Sequence, residues 1–511
     1  MPIQNKRARA VECLTILNTD RTEYLLRLDE YDRGIQDDPY MPESADAEYR
    51  LLAKRAITNV MPFILSTPAQ NMYVDSFRRG STSEAGDSPD SPSEARTDAV
   101  QPEWDHWQRS GLDARQSAVY RGAFKFGHSF VLTEKRASDD AVVSVGLSAL
   151  RTVALYVSSA NDADPIVALT VVRWADPVKK LKGEARMWDD TYEYAVTFNS
   201  ILDLSKGVTV KQIRAHGASK CPVTRFAAAV DLEGRTVGLI EPLMPLQNRL
   251  NQTVFDLLVV QSYASFKVRT ISGMAPPVKL RPVDIEGNEV TNPSSNQERI
   301  HDWIPVIDPN TGRPVPEEIN LNAKRVFWGA DHDTRFGTLD ETPLDGFINA
   351  IEMGFQHIAA LSQTPPHSFL GKIANLSAEA LLAAESALSR KVDEFKAAFG
   401  ESWERVFRIA AEIGEYEGAD DFSGEVIWRD MGQKSLSQAG DALGKLHSEL
   451  GIPQRGLWRR VPNVTAQELA QWEEMYEEES SDIALAQAVR PASSARPSFR
   501  ASAQPDQGTV A

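Results

Sequence analysis

Cysteine is nearly absent: Cys13 and Cys221 are the only two in 511 residues, and they lie far apart. That excludes a disulfide framework, and it leaves a cysteine zinc site short of ligands. Both read as free thiols packed like small hydrophobes. Positive charge is also short. The chain has 55 Lys and Arg against 72 Asp and Glu, for a net charge of −17. Proteins that grip nucleic acid by neutralising phosphates are usually basic, so the balance argues against a repressor or a tight DNA binder. Acidity alone fits mere solubility. Long apolar runs are missing too. A bilayer span needs roughly 18 uncharged apolar residues. The longest candidate, 254–264, is short and is broken by Asp256 and Gln261. The first stretch, MPIQNKRARAVECLTILNTDRTEYLLRL, is charged throughout and has no signal-peptide core. The expectation is a chain made and used in a cytoplasm, without membrane contact.

Catalytic signatures are missing as well. The sequence has no GxxxxGK[ST] phosphate loop, no GxGxxG after a strand, no HExxH, no GxSxG and no paired CxxC. The eight histidines are scattered. The densest acid–histidine spot, Asp331-His332-Asp333, reads as a solvated turn, because adjacent residues rarely all face one ion. Asp162 and Asp164 read as a turn before Pro165. Asn251, Asn375 and Asn463 each begin a glycosylation sequon, which carries no meaning in a cytoplasmic chain. No catalytic residue, metal ligand or cofactor is assigned.

Organised patterning, by contrast, is plentiful. Residues 18–31 and 45–59 read as helices, and Pro62 and Pro68 should break the next stretch into short pieces. Residues 79–102 form a Ser/Pro/acid tract with almost no large apolar side chain, expected to be an exposed, mobile loop. A helix is expected from Trp104, giving way to a strand after Gly127. Short alternating runs over 142–226 predict antiparallel strands of an α+β region. Within 238–266, Leu246, Leu250, Val254, Leu257 and Gln261 follow helical spacing, and about 20 residues of helix would be roughly 30 Å long. The next stretch, 267–340, holds eight prolines and β-like runs such as FKVRTI and KRVFWGA. Leu344, Ile348, Ile351, Phe355 and Ile358 then repeat at helical spacing.

The most telling stretch comes next. Pro365 and Pro366 lack amide donors and push the preceding residue out of the helical region. A polar loop follows, and a long helix restarts at Ser377. Leu381, Ala384, Leu388, Val392, Phe395, Phe399, Trp403, Val406, Ala410 and Ile413 keep one apolar stripe along it. The plain reading is an ordinary loop between helices, with Phe369 and Leu370 tucked into a core. Residues 424–430 (GEVIWRD) read as a strand. Residues 435–450 and 465–479 read as helices joined at Gly451-Ile452-Pro453, and 487–511 has a disordered composition.

Taken in order, these elements resemble the portal proteins of tailed bacteriophages, most of all those of long-tailed phages of actinobacteria. The resemblance runs from about Asn18 to Glu479. It rests on Tyr31-Asp32-Arg33-Gly34 closing a helix, and on Tyr73-Val74-Asp75-Ser76-Phe77. Trp107, Leu112, Asp113 and Gly127 carry it further. Near the end lie Trp428, Asp430, Ser437, Gln438, Asp441, Ala442, Lys445, Leu446 and Gly451 to Pro453.

The resemblance implies an α+β portal fold. Its parts would be a wing (1–237, with the 79–102 loop), a first stem helix (238–266), a β-rich clip (267–340) and a second stem helix (341–361). A tunnel loop (362–376) would follow, then a long helix and a strand returning to the wing (377–430), a crown (431–486) and a disordered tail (487–511). It further implies a ring of about twelve copies at one capsid vertex of the virion, assembled in the host cytoplasm. Double-stranded DNA would pass through the ring. The partners implied are a separate terminase large subunit, a head–tail adaptor, and the major capsid and scaffold proteins. In such a ring Gln363, Thr364, His367, Ser368, Lys372 and Asn375 would line the channel. Weak contacts suit sliding, because each strong ion pair to phosphate would act as a brake. The polar helix faces bearing Asn248, Asp256, Asn349, Glu352 and Gln356 would look toward the channel or the capsid collar. Two other classes stay open. One is an oligomeric virion or scaffold protein that encloses no DNA; the other is an enzyme such as a metal-dependent nuclease.

Overall fold

The structure is a computed structural model. It describes residues 5–42, 47–79, 102–176, 178–264, 269–272, 278–291, 296–315, 335–338, 343–371, 378–429, 436–458, 460–461, 464, 468–469 and 471–479. It divides into two compact units: Met1–Asp38 with Ile57–Asn251 and Glu352–Ala511, and Pro39–Ala56 with Gln252–Ile351. The boundary falls within the helices Met244–Ala264 and Asp345–Ser362.

The first unit opens on a helix, Lys6–Asp20, capped by Asn5, whose side chain accepts the Ala8 amide at 3.0 Å. The helix passes through one π-helical turn, Arg21–Leu25, into Leu26–Asp32. It therefore begins well before the expected Asn18. Ala10, Cys13, Leu14 and Leu17 extend the apolar stripe, and burial against a sheet makes those extra turns worth forming.

That sheet is an antiparallel meander of Thr152–Leu155, Val167–Arg173, Gly183–Trp188, Tyr192–Phe198 and Thr209–Ala215, in sequence order. Val167, Leu169, Val171, Met187, Tyr194 and Val196 face the helix. Ala168 and Trp188 instead pack on Phe130, Leu132 and Val223 of a second sheet. The period-2 alternation of strand side chains separates these two sets. The second sheet has His128–Lys135 at its centre, between Val142–Leu147 and Val223–Ala227. Beside the core, Glu134 of this sheet meets Arg186 and Arg214 of the meander, and both arginines also bind Glu193, at 2.6 and 2.9 Å.

The expected break at Pro62 and Pro68 does not occur: Met61–Gln70 is one helix. Pro62 sits in the first turn, where a missing amide costs nothing. Pro68 stands near the C-terminal end, and Ile64, Leu65 and Ala69 bury the helix around it. Strand Val74–Arg78 pairs antiparallel with Glu425–Trp428, so the expected C-terminal strand does return to the N-terminal part of the chain.

The centre of this unit is aromatic. Helix Leu112–Phe126 supplies Tyr120 and Phe124. The long helix Ala378–Gly414 supplies Phe395, Phe399, Trp403 and Phe407. Tyr120 stacks on Phe399 at 5.2 Å between centroids, Phe124 lies 4.8 Å from Phe395, and Phe226 lies 4.6 Å from Trp403. The buried indole finds its acceptor, with Trp403 Nε1 donating to the Tyr120 hydroxyl at 2.8 Å. Of the predicted stripe, Val392, Phe395, Phe399, Trp403, Val406, Ala410 and Ile413 are buried; the side chains of Leu381 and Ala384 lie outside the described residues. Arg405 lies on another side of this helix and pairs with Asp164 at 2.7 Å. Gly127 ends helix Leu112–Phe126 at φ +84°, where a Cβ would come within 2.7 Å of the Thr236 carbonyl oxygen.

In the second unit, helix Ala47–Ala56 buries Ala53 and Ala56 against Phe255. Two small antiparallel ladders follow, Arg269–Ser272 with Arg335–Thr338 and Leu280–Val283 with Asp302–Pro305. Of the expected run FKVRTI, Arg269, Thr270 and Ile271 fall in the first of these; its first three residues and KRVFWGA lie outside the described residues, as do Asp331, His332 and Asp333. So do 80–101 of the Ser/Pro tract and the 487–511 tail.

Near the C-terminus, helix Leu436–Leu450 ends at Gly451 (φ +65°). An unforeseen short helix, Gln454–Trp458, comes next, and 471–479 is helical. Arg455 and Trp458 hold this last piece through Tyr476 and Trp472.

Candidate functional site

The candidate site is the connection between helices Asp345–Ser362 and Ala378–Gly414. The first helix ends in a hydrogen-bonded turn. Gln363 takes a left-handed φ of +55°, the Gln363 amide donates to the Ala360 carbonyl at 3.3 Å, and the Thr364 amide donates to the Ala359 carbonyl at 3.0 Å. This double bond is the Schellman arrangement that satisfies the last carbonyls of a helix. Glycine is the usual residue at its left-handed position, so glutamine there carries a strain of about 1 kcal/mol. Pro365 and Pro366 prevent the first helix from simply continuing.

The connection is not all loop. Pro366–Leu370 forms a short helix that ends at Gly371 (φ +63°). It is pinned from one side: the Phe369 ring lies edge-on to Phe63 at 4.9 Å and 6.3 Å from Phe355. The plain sequence reading tucks Phe369 and Leu370 into a core; Phe369 does pack on these rings, and both residues are half-buried. Between Gln363 and Gly371 there is no Asp, Glu, Lys or Arg.

The six candidate residues separate accordingly. Gln363 and Ser368 are exposed and His367 is half-buried. Thr364 is 4% exposed, so its side chain does not reach solvent in this chain. The reason is the turn: it folds the residue after Gln363 back against the helix end. Lys372 and Asn375 lie outside the described residues.

One residue was not anticipated. The Nζ of Lys391, on the long helix, donates to the Ser362 carbonyl at 2.9 Å. Burial holds its ammonium below the usual lysine range, although Glu394 opposes the shift. The sequence carried a faint signal, since Lys391 stands three residues after Leu388 and four before Phe395, on the edge of the apolar stripe.

The start of helix Met244–Ala264 is tied down by buried amides. Asn251 Nδ2 donates to Gln36 Oε1 at 2.7 Å, and Asn251 Oδ1 accepts from Gln247 Nε2 at 2.8 Å and from the Thr58 amide at 3.0 Å. Gln247 Nε2 also reaches the Thr58 carbonyl, and Gln36 Nε2 reaches Asn59 Oδ1. Asn251 and Gln247 are fully buried. The sequon asparagine is therefore a structural residue. Asn248, expected on an outward polar face, donates to Asp37 Oδ2 at 3.1 Å. The same oxygen accepts from the Tyr31 hydroxyl at 2.7 Å, and the two bonds help hold the Asp37 carboxyl below its usual range.

Among the described residues no group of three or more His, Cys, Asp or Glu is placed to hold a metal, and no helix is long and apolar enough to cross a membrane. Both thiols are buried, and desolvation raises both above the usual range, Cys221 to about 12.

Comparison with known proteins places the chain. The portal protein of Mycobacterium phage D29 is 28% identical over 176 residues, covering 33% of this chain and 36% of that protein. The portal protein of Mycobacterium phage L5 is 31% identical over 147 residues, covering 26% of this chain and 30% of that one. The matched part thus spans about a third of the length of these curated relatives. A chain from the virion of a native gene transfer agent particle aligns over 81% of this chain and 92% of its own length, at 10% identity and a TM-score of 0.38, too loose a likeness to carry an argument. The family model for phage portal proteins of the SPP1 Gp6-like type matches residues 12–482. With nearly the whole chain inside that match, the protein belongs to the SPP1 Gp6-like family of phage portal proteins.

Proposed function

We propose that the chain forms the ring at one capsid vertex through which double-stranded DNA is packaged and later leaves. The observation that carries this reading is the family match across residues 12–482. About twelve copies would close head-to-tail around an axis, each using two different surfaces. A separate terminase large subunit would drive the DNA, a head–tail adaptor would dock on the ring, and the major capsid and scaffold proteins would surround it. The parts keep the assignments implied by the sequence: wing 1–237, stem helices 238–266 and 341–361, clip 267–340, tunnel loop 362–376, long helix and returning strand 377–430, crown 431–486. In this reading the protein performs no chemistry itself.

The 363–371 segment supports a channel role by its chemistry. It shows Gln363 and Ser368 to solvent, and the whole tunnel loop, 362–376, has no carboxylate and a single strong cation, Lys372. Carboxylates would repel the phosphate backbone, and several lysines or arginines would bind it through counterion release and hold it still. Neutral hydrogen-bonding groups touch the backbone without reading sequence.

The first test is light scattering on the purified protein, with negative-stain images of the same peak. The expected result is a particle of about twelve subunits with an axial hole. The second is deletion of 363–371, which should leave rings intact and impair DNA packaging or retention. Rings without a hole would favour a virion protein that encloses no DNA. Metal-dependent cleavage of DNA by a ringless protein would favour a nuclease.

A further inference from the structure

Helix Asp345–Ser362 is held at its end by a side chain from another element. The turn satisfies the Ala359 and Ala360 carbonyls. The Ser362 carbonyl is taken by Lys391, whose Nζ lies 2.9 Å away in a part-buried contact. A cation at a helix C-terminus meets the negative end of the helix dipole, and a charge-assisted bond is stronger than a neutral one. Lys391 is itself well placed. Its ammonium lies 5.8 Å from the centroid of the Phe395 ring, and that ring packs against Phe124 in the aromatic core. The long helix thus delivers one donor from a fixed platform to the last carbonyl before the 363–371 segment.

We propose that Lys391 is a positioning residue: by clamping the Ser362 carbonyl, it fixes where the 363–371 segment leaves its helix and in which direction. The segment then has two anchors, this polar one at Ser362 and the packing of Phe369 on Phe63 and Phe355. Without Lys391 only the apolar anchor remains, and the left-handed Gln363 turn loses the contact beside it. The functional consequence rests on the reading of 363–371 as a channel segment; the clamp itself does not.

The test uses full-length protein in its purified, assembled state, with Lys391→Met, Lys391→Arg and, separately, deletion of 363–371. Met keeps the aliphatic stem and removes the donor, while Arg keeps both charge and donor. Three properties are measured: amide hydrogen exchange in peptides covering 359–371, the thermal midpoint, and DNA packaging. In K391M, exchange at Gln363 and Thr364 should rise about tenfold. Packaging should fall, while rings and the thermal midpoint stay as in the unmodified protein. K391R should restore both slow exchange and packaging.

Unchanged exchange in K391M overturns the clamp. So does loss of protection spread evenly through the long helix, or an equal defect in K391R. If K391M does not fold, Lys391→Leu, which likewise removes the donor, is measured in its place against the same outcomes. If deleting 363–371 leaves packaging intact, the channel reading fails, and the exchange result still decides the clamp.

Discussion

Asn251 offers the sharpest test of the architecture, because nothing in its local sequence announces its structural role. In the fold it is 0% exposed and bonded to three partners: Gln36 Oε1, Gln247 Nε2 and the Thr58 amide. Truncation to alanine removes all three bonds at once. Gln247 Nε2 keeps the Thr58 carbonyl as an acceptor. Gln36 Oε1, on a side chain only 8% exposed, loses the donor it has here. A net loss of about 1 kcal/mol for each of the three bonds, plus about 1–3 kcal/mol for a polar atom left buried without its donor, gives roughly 4–6 kcal/mol. With unfolding entropy near 2 cal/mol/K per residue, that is a fall in midpoint of about 6 °C for a unit of roughly 390 residues. The assay is thermal unfolding followed by tryptophan fluorescence. Gln356→Ala, at an exposed position on helix Asp345–Ser362, serves as the control and should stay within about 0.5 kcal/mol. If Asn251→Ala shifts the midpoint no more than that control, the buried amide network is not what holds the start of helix Met244–Ala264.

Two further expectations concern the first unit. His106 is buried, with Nδ1 placed to donate to the Val142 carbonyl and Nε2 to accept from the Ser144 hydroxyl; burial lowers its pKa to about 4. Its folded value lies below the ordinary 6.5, so the unfolded chain takes up a proton that the folded chain refuses. The stability it contributes is complete above pH 6.5 and is lost as pH falls toward 4, by about 2 kcal/mol at pH 5. His106→Gln should therefore show a shallower fall in urea midpoint between pH 7 and pH 5, and parallel falls would refute the assignment. Phe399 is fully buried among Tyr120, Phe124 and Phe226. Phe399→Ala should cost about 3–5 kcal/mol in chemical denaturation, and a loss below 1 kcal/mol would mean the aromatic core is not packed as described.

Much of this was legible in the sequence, and the legible part has a common physical basis. The stripe from Val392 to Ile413, the strands between Val142 and Phe226, and strand Glu425–Trp428 are periodic patterns, and the period fixes which side chains share a face. The helix end at Ser362 was legible because two consecutive prolines leave the backbone no helical continuation. Local breaker rules fared worse where burial opposed them, as at Pro68. The N-terminal helix ran further than its own pattern suggested because the five-stranded sheet was there to cover it.

The sequence by itself therefore determined the order and kind of the elements, the lack of any common catalytic or nucleotide motif, and, through the ordered matches along the chain, the family. Only the tertiary structure decided what each polar residue does. It turned Thr364 inward, made a buried strut of Asn251, tied Asn248 to Asp37 and brought Lys391 to the Ser362 carbonyl. An apolar residue announces its burial by repeating with its neighbours, since hydrophobic contact is roughly proportional to area and indifferent to direction. A polar residue is settled by one directed bond to a partner that can lie anywhere in the chain, 215 positions away for Asn251 and Gln36. No local pattern encodes that partner.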